Sequence, residues 1–467
     1  MRKFLFLLGL CGCTLYPTYE RPTLDNMGDW RAPLSSENAV DIEWWRQFGD
    51  PTLDRLINQA LAGNQDLKVA IARVDEFQAN LMIARSKYFP QAGLGVVASR
   101  QKISTSITAL PPGIDQVFSI FGLIMNASYL VDLWGQVRSA SEAAYHQWLS
   151  AVEARRTVIL GLVSSVASTY IQLRELDHQL KVTQNLLKTR EESLRLQNLR
   201  FEKGEVSELQ IDQAISAMQA IQVQVESLQI QIAETENLLS FLMGVPSKEI
   251  ERGNPLDVAQ MPPAVPNFMP SDLLNQRPDI RAREEQLIAA NANIGIARSA
   301  FFPQVQLGAA LGTEAVKVNE LFQRASNIWE YGANIVQQVF TGFALTGQLD
   351  VTLAQKEEML HSYLSTVLKA IKEANDALFA HKTNLEQVDA EKKRVSALKS
   401  YFSLSNLRFQ TGEIDYLTYL DAEREYLSSL LSFEIAKGNS FLSYIQIYQA
   451  FGGGWVEAAD NQVMNGK

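Results

Sequence analysis

The chain has 467 residues, 46% of them hydrophobic and 20% charged, with a formal net charge of −10. That composition excludes a disordered chain and a bundle of membrane-spanning helices. The acidic balance, with no basic cluster against it, argues against a nucleic-acid partner.

Arg2 and Lys3 precede a short apolar run, Phe4 to Leu10, and Leu10-Cys11-Gly12-Cys13 follows. A run that short cannot span a bilayer as a mature helix, so residues 1–12 read as a signal peptide. The Leu-x-Gly-Cys pattern looks like a bacterial lipobox, which makes Cys13 the acylated first residue of the mature chain, carrying diacylglycerol and a fatty acyl group such as palmitate. No other cysteine would then remain for a disulfide. Residues 13–40, with Pro17, Pro22 and Pro33 and no periodicity, read as an extended segment over the surface.

Over 41–90, Trp44, Trp45, Phe48 and Asp50-Pro51 open a helix with Leu53, Leu56, Ile57, Ala60 and Leu61 on one face. A second helix, Asn64 to Arg85, is stopped at Pro90. The period then changes to two over 91–133: Leu94, Val96 and Ala98 alternate with small residues, as do Phe121, Leu123, Met125, Ala127, Tyr129 and Val131 with their neighbours. These are two strands joined by a loop containing Pro111-Pro112-Gly113.

From Tyr145 to Phe201, within a helical hairpin over 134–244, seam positions step by three and four residues in turn: Trp148, Val152, Arg155, Ile159, Leu162, Val166, Thr169, Leu173 and onward through Arg190, Leu194 and Gln197. With no Pro or Gly on the seam, this predicts one helix, which extended back to Gln136 would be roughly 100 Å long at about 1.5 Å per residue. Arg155, Thr169, Arg190 and Gln197 suit the wall of a hollow cylinder, packed on two sides and wetted on another. A Pro-rich linker, 245–271, has no periodicity and is expected to form no core of its own. Helices over 272–303, a strand pair over 304–341 with a polar loop from Thr313 to Asn327, and a second hairpin over 342–451 repeat the scheme. Residues 452–467, opened by Gly452-Gly453-Gly454, read as a flexible tail.

The halves match motif by motif. Ala84-Arg85-Ser86-Lys87-Tyr88-Phe89-Pro90-Gln91 returns as Ala297-Arg298-Ser299-Ala300-Phe301-Phe302-Pro303-Gln304, and the hairpin tip Leu199 to Glu205 returns as Leu407 to Glu413. The fold class is therefore mainly α with β, built as an internal two-fold repeat. Four strands of membrane-crossing length cannot close a barrel alone, so they must pool with copies of the same chain. A small soluble sheet and a solid coiled-coil rod are the competing readings. No catalytic or metal-ligand spacing was found: His146, His178, His361 and His381 are scattered, and GxSxG, HExxH and phosphate-binding loops are missing from the sequence. That leaves an export channel, a periplasmic coiled-coil or adaptor without a pore, and a barrel receptor or enzyme.

Several motifs together resemble one family. They are Trp44-Trp45-x-x-Phe48-x-Asp50-Pro51-x-Leu53, Asn64-x-Asp66-Leu67, Ala72-Arg73 and Asp132-Leu133-Trp134-Gly135. The most specific is Gln276-Arg277-Pro278-Asp279-Ile280-x-x-x-Glu284 running on to Ile294-Gly295-Ile296-Ala297-Arg298. The chain is similar to the TolC-like outer-membrane factors, in the lipoprotein branch serving tripartite efflux systems with RND-type pumps. The resemblance implies a homotrimer anchored in the outer membrane, a twelve-stranded transmembrane β-barrel, and a periplasmic α-barrel. A periplasmic adaptor and an inner-membrane pump would be its partners, with no cofactor or metal. It implies a periplasmic aperture at Asp421, Thr418 and Asp415, where Thr418 replaces a second acidic ring residue of some members. Adaptor-facing tips would lie at Arg200, Gly204, Glu205, Arg408, Gly412 and Glu413. The barrel-to-helix junctions would be Pro90, Gly135, Pro303 and Gly342, and Phe343 departs from a second Gly often seen there.

Overall fold

The computed structural model describes residues 15–22, 30, 43–104, 106, 115–253, 273–452 and 455–465. Cys13 and the leader lie outside them. A 3₁₀ turn at Trp44–Phe48 precedes helices α1 (Pro51–Gly63) and α2 (Gln65–Ser86), then strands β1 (Gln91–Lys102) and β2 (Val117–Val131). Next come α3 (Gln136–Glu202), α4 (Glu208–Leu242), α5 (Leu273–Gln276) and α6 (Pro278–Ser299), followed by β3 (Gln304–Ala315) and β4 (Asn327–Val336). The chain ends with α7 (Ala344–Gln410), α8 (Tyr416–Phe451) and α9 (Trp455–Asn465). Helices α3 and α7 are each 67 residues long. The chain divides into two units, one of Met1–Thr23, Arg73–Val152 and Ala282–Tyr363, the other of Leu24–Ala72, Glu153–Arg281 and Leu364–Lys467.

In the first unit the strands form one antiparallel sheet in the order β1-β2-β3-β4. The register sorts its residues into two faces. Leu94, Met125, Leu311 and Trp329 share one row, with Ala92, Ala127, Ala309 and Tyr331 beside it. On the other face Gly93, Asn126, Ala310 and Glu330 share a row, and Ser128, Gly308 and Gly332 lie next to it. One face is thus apolar and aromatic, the other mostly small and polar with Ile124, Leu130 and Ile328 among its residues, as period-two alternation sorts them. The polar stretch from Thr313 is not all loop: β3 runs on to Ala315, and two 3₁₀ turns, Val318–Glu320 and Arg324–Ser326, lead into β4.

Of the expected extended segment 13–40, residues 15–22 lie along α6, and apart from Trp30 the rest lies outside the described residues. The Arg298 guanidinium donates to the Leu15 carbonyl at 2.9 Å and the Asn291 amide to that of Pro17 at 2.6 Å. Arg21 grips Glu284 through Nε and Nη2, each at 2.6 Å. Gly295 makes room for this packing, since a Cβ there would lie 2.4 Å from Ser139 Oγ and 3.0 Å from Tyr16 Cβ.

The second unit holds the main core. Trp44, Trp45, Phe48, Leu53 and Ile57 pack with Ile159, Val166, Tyr170 and Leu173 of α3 and with Phe441, Tyr444 and Tyr448 of α8. Rings set the angles: Trp44 stacks on Tyr448 at 5.2 Å, and Trp45 meets Trp455 edge-on at 5.4 Å.

That last contact overturns the expectation of a flexible tail. Residues Trp455–Asn465 form α9, with Trp455, Val456 and Ala459 buried. Asp460 takes Arg155 Nε and Nη2 at 2.7 and 2.8 Å. The aromatic anchor and the buried ion pair outweigh the fraying that terminal glycines invite. The same pair corrects the expectation that polar seam residues are wetted, because Arg155, Thr169, Arg190 and Gln197 are all buried. The start of the linker is likewise part of the core: Ile250 is buried in it, and Arg252 is held by Asp177 and Glu236.

Candidate functional site

Both hairpin tips are built by one local device. In the first, Gly204 has φ of +73°, and its amide and that of Glu205 donate to the carbonyls of Phe201 and Arg200 at 2.8 and 2.9 Å. In the second, Gly412 has φ of +77°, with Gly412 to Phe409 at 3.1 Å and Glu413 to Arg408 at 2.8 Å. Each is a glycine-closed helix end, and open space around both glycines shows that φ, not crowding, demands them. Arg200, Glu205, Arg408 and Glu413 are exposed at these turns.

The next helices start differently. Ser207 and Gln210 form a capping box on α4. On α8, Asp415 is the N-cap and accepts from the Thr418 amide at 2.9 Å. Hydrogen bonds from Thr418, side chain then backbone, hold the Asp415 carboxyl below its ordinary range. Asp415 and Thr418 therefore cap a helix, whereas Asp421, one turn on, is half exposed and paired with Arg424 at 2.5 Å. Arg424 was not foreseen, although an acid and a base three apart on a helix is a readable pattern.

Asp421, Thr418 and Arg424 line a cavity of about 900 Å³ together with Arg190, Asp212 and Gln213. Its wall is fixed by contacts between the hairpins. Arg190 of α3 and Glu423 of α8 lie 3.0 Å apart and are both buried. Burial pushes the Glu423 carboxyl up while the Arg190 charge and the Tyr419 hydrogen bond pull it down. Nearer the tip Arg200 sits over the Phe409 ring at 5.9 Å, and Phe409 stacks on Tyr419 at 5.2 Å.

At the other end of the long helices, Pro90 follows the turn that ends α2, and Pro303 offers its carbonyl to Trp134 Nε1 at 2.8 Å while Trp134 stacks on Phe302 at 4.7 Å. Gly135 has φ of +75° just before α3, whose first amides, Val137 and Arg138, both donate to Asp132 at 3.0 Å. Gly342 has φ of +59°, and Phe343 follows at +67°, so the departure noted in the sequence puts a bulky residue in the left-handed region. Among the described residues no helix is long and apolar enough to cross a membrane, and no group of side chains is placed to hold a metal ion. The two-faced sheet is the element suited to lipid.

A family model described as outer membrane efflux protein matches residues 56–245 and 269–453. The chain belongs to the outer membrane efflux protein family. It is 34% identical over 462 residues to the probable efflux pump outer membrane protein TtgC of Pseudomonas putida, covering 97% of this chain and 94% of that one. It is 31% identical over 459 residues to the pyoverdine export outer membrane protein OpmQ of Pseudomonas aeruginosa, covering 96% and 95%. Among solved structures, the open state of the Neisseria gonorrhoeae MtrE outer membrane channel superposes with a TM-score of 0.85 at 30% identity, covering 95% of this chain and 99% of that one. This efflux protein is an outer-membrane component with a transport role, and the resemblance drawn from its motifs holds.

Proposed function

We propose that this efflux protein is the passive exit duct of a tripartite pump, a homotrimer whose twelve pooled strands close one barrel, and that it catalyses no reaction. The observation that carries this is the open four-stranded sheet with one apolar and one mostly small and polar face. β1 and β4 are its edges, and in lipid both must find partners, which a ring of copies supplies. The glycine-closed tips and the Asp421 region are the surfaces where a periplasmic adaptor and an inner-membrane pump would dock and open the aperture. Cys13, acylated, would tether each copy to the outer membrane. A passive bore leaves the choice of exported substance to the pump.

Native mass spectrometry of protein extracted from outer membranes tests this, together with planar-bilayer recording. Three chains, each heavier at the N-terminus by its acyl groups, and ion conductance are expected. A monomer that passes no current would favour the pore-free rod and end the reading.

A further inference from the structure

One buried acid has no part in the duct described so far. Glu175 of α3 is 9% exposed and faces α8, where Gly438 stands opposite. A Cβ at Gly438 would lie 2.1 Å from Glu175 Oε2, so the glycine keeps room for a carboxylate in the packing plane. Its hydrogen bond comes from Gln179 Nε2, on the same helix, at 2.9 Å. Glu434, also buried and one turn before Gly438, is paired with His178 Nδ1 at 3.1 Å.

The other charges nearby are engaged with one another or belong to neighbouring positions. Arg174 reaches Asp177 at 3.0 Å and the Gly253 carbonyl at 3.3 Å. Arg252, beyond α4, is held by Asp177 and Glu236, and His381 of α7 bonds Ser443 Oγ at 3.1 Å. Lys437 adjoins Gly438 in α8. Burial pushes the Glu175 carboxyl up to about 7, with Gln179 pulling it down and the Glu434 charge pushing it further up.

We propose that Glu175, Gly438 and Glu434 form a proton-operated joint between α3 and α8, closed when Glu175 carries its proton and loosened when it ionises beside Glu434. The sign follows from the raised value. Closed, the joint keeps a proton that an ordinary glutamate releases near 4.5, so its extra stability is fully present below that pH and is lost as pH rises through about 7. Two buried carboxylates then repel, and each gains by reaching water. The joint would let α8 part from α3 as the periplasm turns from acidic to alkaline.

Hydrogen–deuterium exchange of the α8 amides flanking Gly438 tests this on the full-length protein in detergent at pH 6 and pH 8, with intrinsic rates divided out. Wild type should lose about tenfold of its protection between the two, the change expected of one group closing with a value near 7. Glu175→Gln keeps the shape and the Gln179 neighbour, and should flatten the profile and leave α8 better protected at pH 8. Gly438→Ala, which evicts the carboxylate, should flatten it as well, and serves if Glu175→Gln does not fold. A flat wild-type profile, or an unchanged slope in Glu175→Gln, would overturn the joint. The outcome does not depend on whether the protein is a trimeric duct.

Discussion

Deleting residues 455–467 separates a dispensable tail from a structural helix. Trp455 is fully buried and meets Trp45 edge-on, and truncating such a side chain to alanine costs about 3–5 kcal/mol. Asp460 is 2% exposed and takes two hydrogen bonds from Arg155, itself 5% exposed. Asp460→Ala leaves that guanidinium with only Met464 Sδ, at 3.2 Å, to donate to and takes one acid from Arg156 as well, again about 3–5 kcal/mol. A folded domain has only about 5–15 kcal/mol in total, so either change should lower the urea midpoint of the helical signal clearly, and the deletion should lower it most. The double replacement Arg155→Met with Asp460→Leu should recover most of the loss, because no charge is left buried alone. A deletion mutant with the wild-type midpoint, or Asp460→Ala costing under about 1 kcal/mol, would refute the assignment of α9 to the core.

The Arg190–Glu423 pair near the second tip should behave alike: Glu423→Ala costs about 3–5 kcal/mol, and a double-mutant cycle with Arg190→Met should show strong coupling, whereas additive costs would deny the pairing. His146 loses basicity to burial but more than regains it from Glu285 at 2.5 Å and Glu142 at 3.2 Å, so its value lies above 6.5. Its contribution is fully present below about 6.5 and fades as pH rises through the raised value. Glu285→Gln should therefore destabilise more at pH 6 than at pH 8.5 in urea titrations, and equal losses would contradict it. Phe343→Gly should raise the melting temperature by relieving about 1 kcal/mol of left-handed strain at an exposed residue, and a lower melting temperature would show that the ring is needed where it stands. Asp421→Ala should give a leakier resting pore with weaker cation preference, and unchanged conductance and selectivity in planar bilayers would remove Asp421 from the aperture.

What the residue pattern could reveal depended on how far each cause lies along the chain. The seam from Tyr145 to Phe201 announced α3 because helical period is a local property repeated over many turns, and the alternation in Phe121 to Val131 announced β2 for the same reason. The tip glycines were legible too, since a left-handed helix end leaves one residue type as its mark. Helix α9 was hidden by its neighbours: three glycines before it and a polar run within it resemble fraying, and only Trp455, Val456, Ala459 and Val463, spaced on one helical face, betray it. The polar seam residues were seen, but their surroundings were misjudged, because the acids that bury Arg155 and Arg190 come from α9 and α8 and leave no trace beside them. Asp415 and Asp421 make the point most sharply. As letters in one short segment they look interchangeable, yet Asp415 caps α8 through the Thr418 amide while Asp421 is paired with Arg424, a distinction made by contacts that the letter pattern does not display.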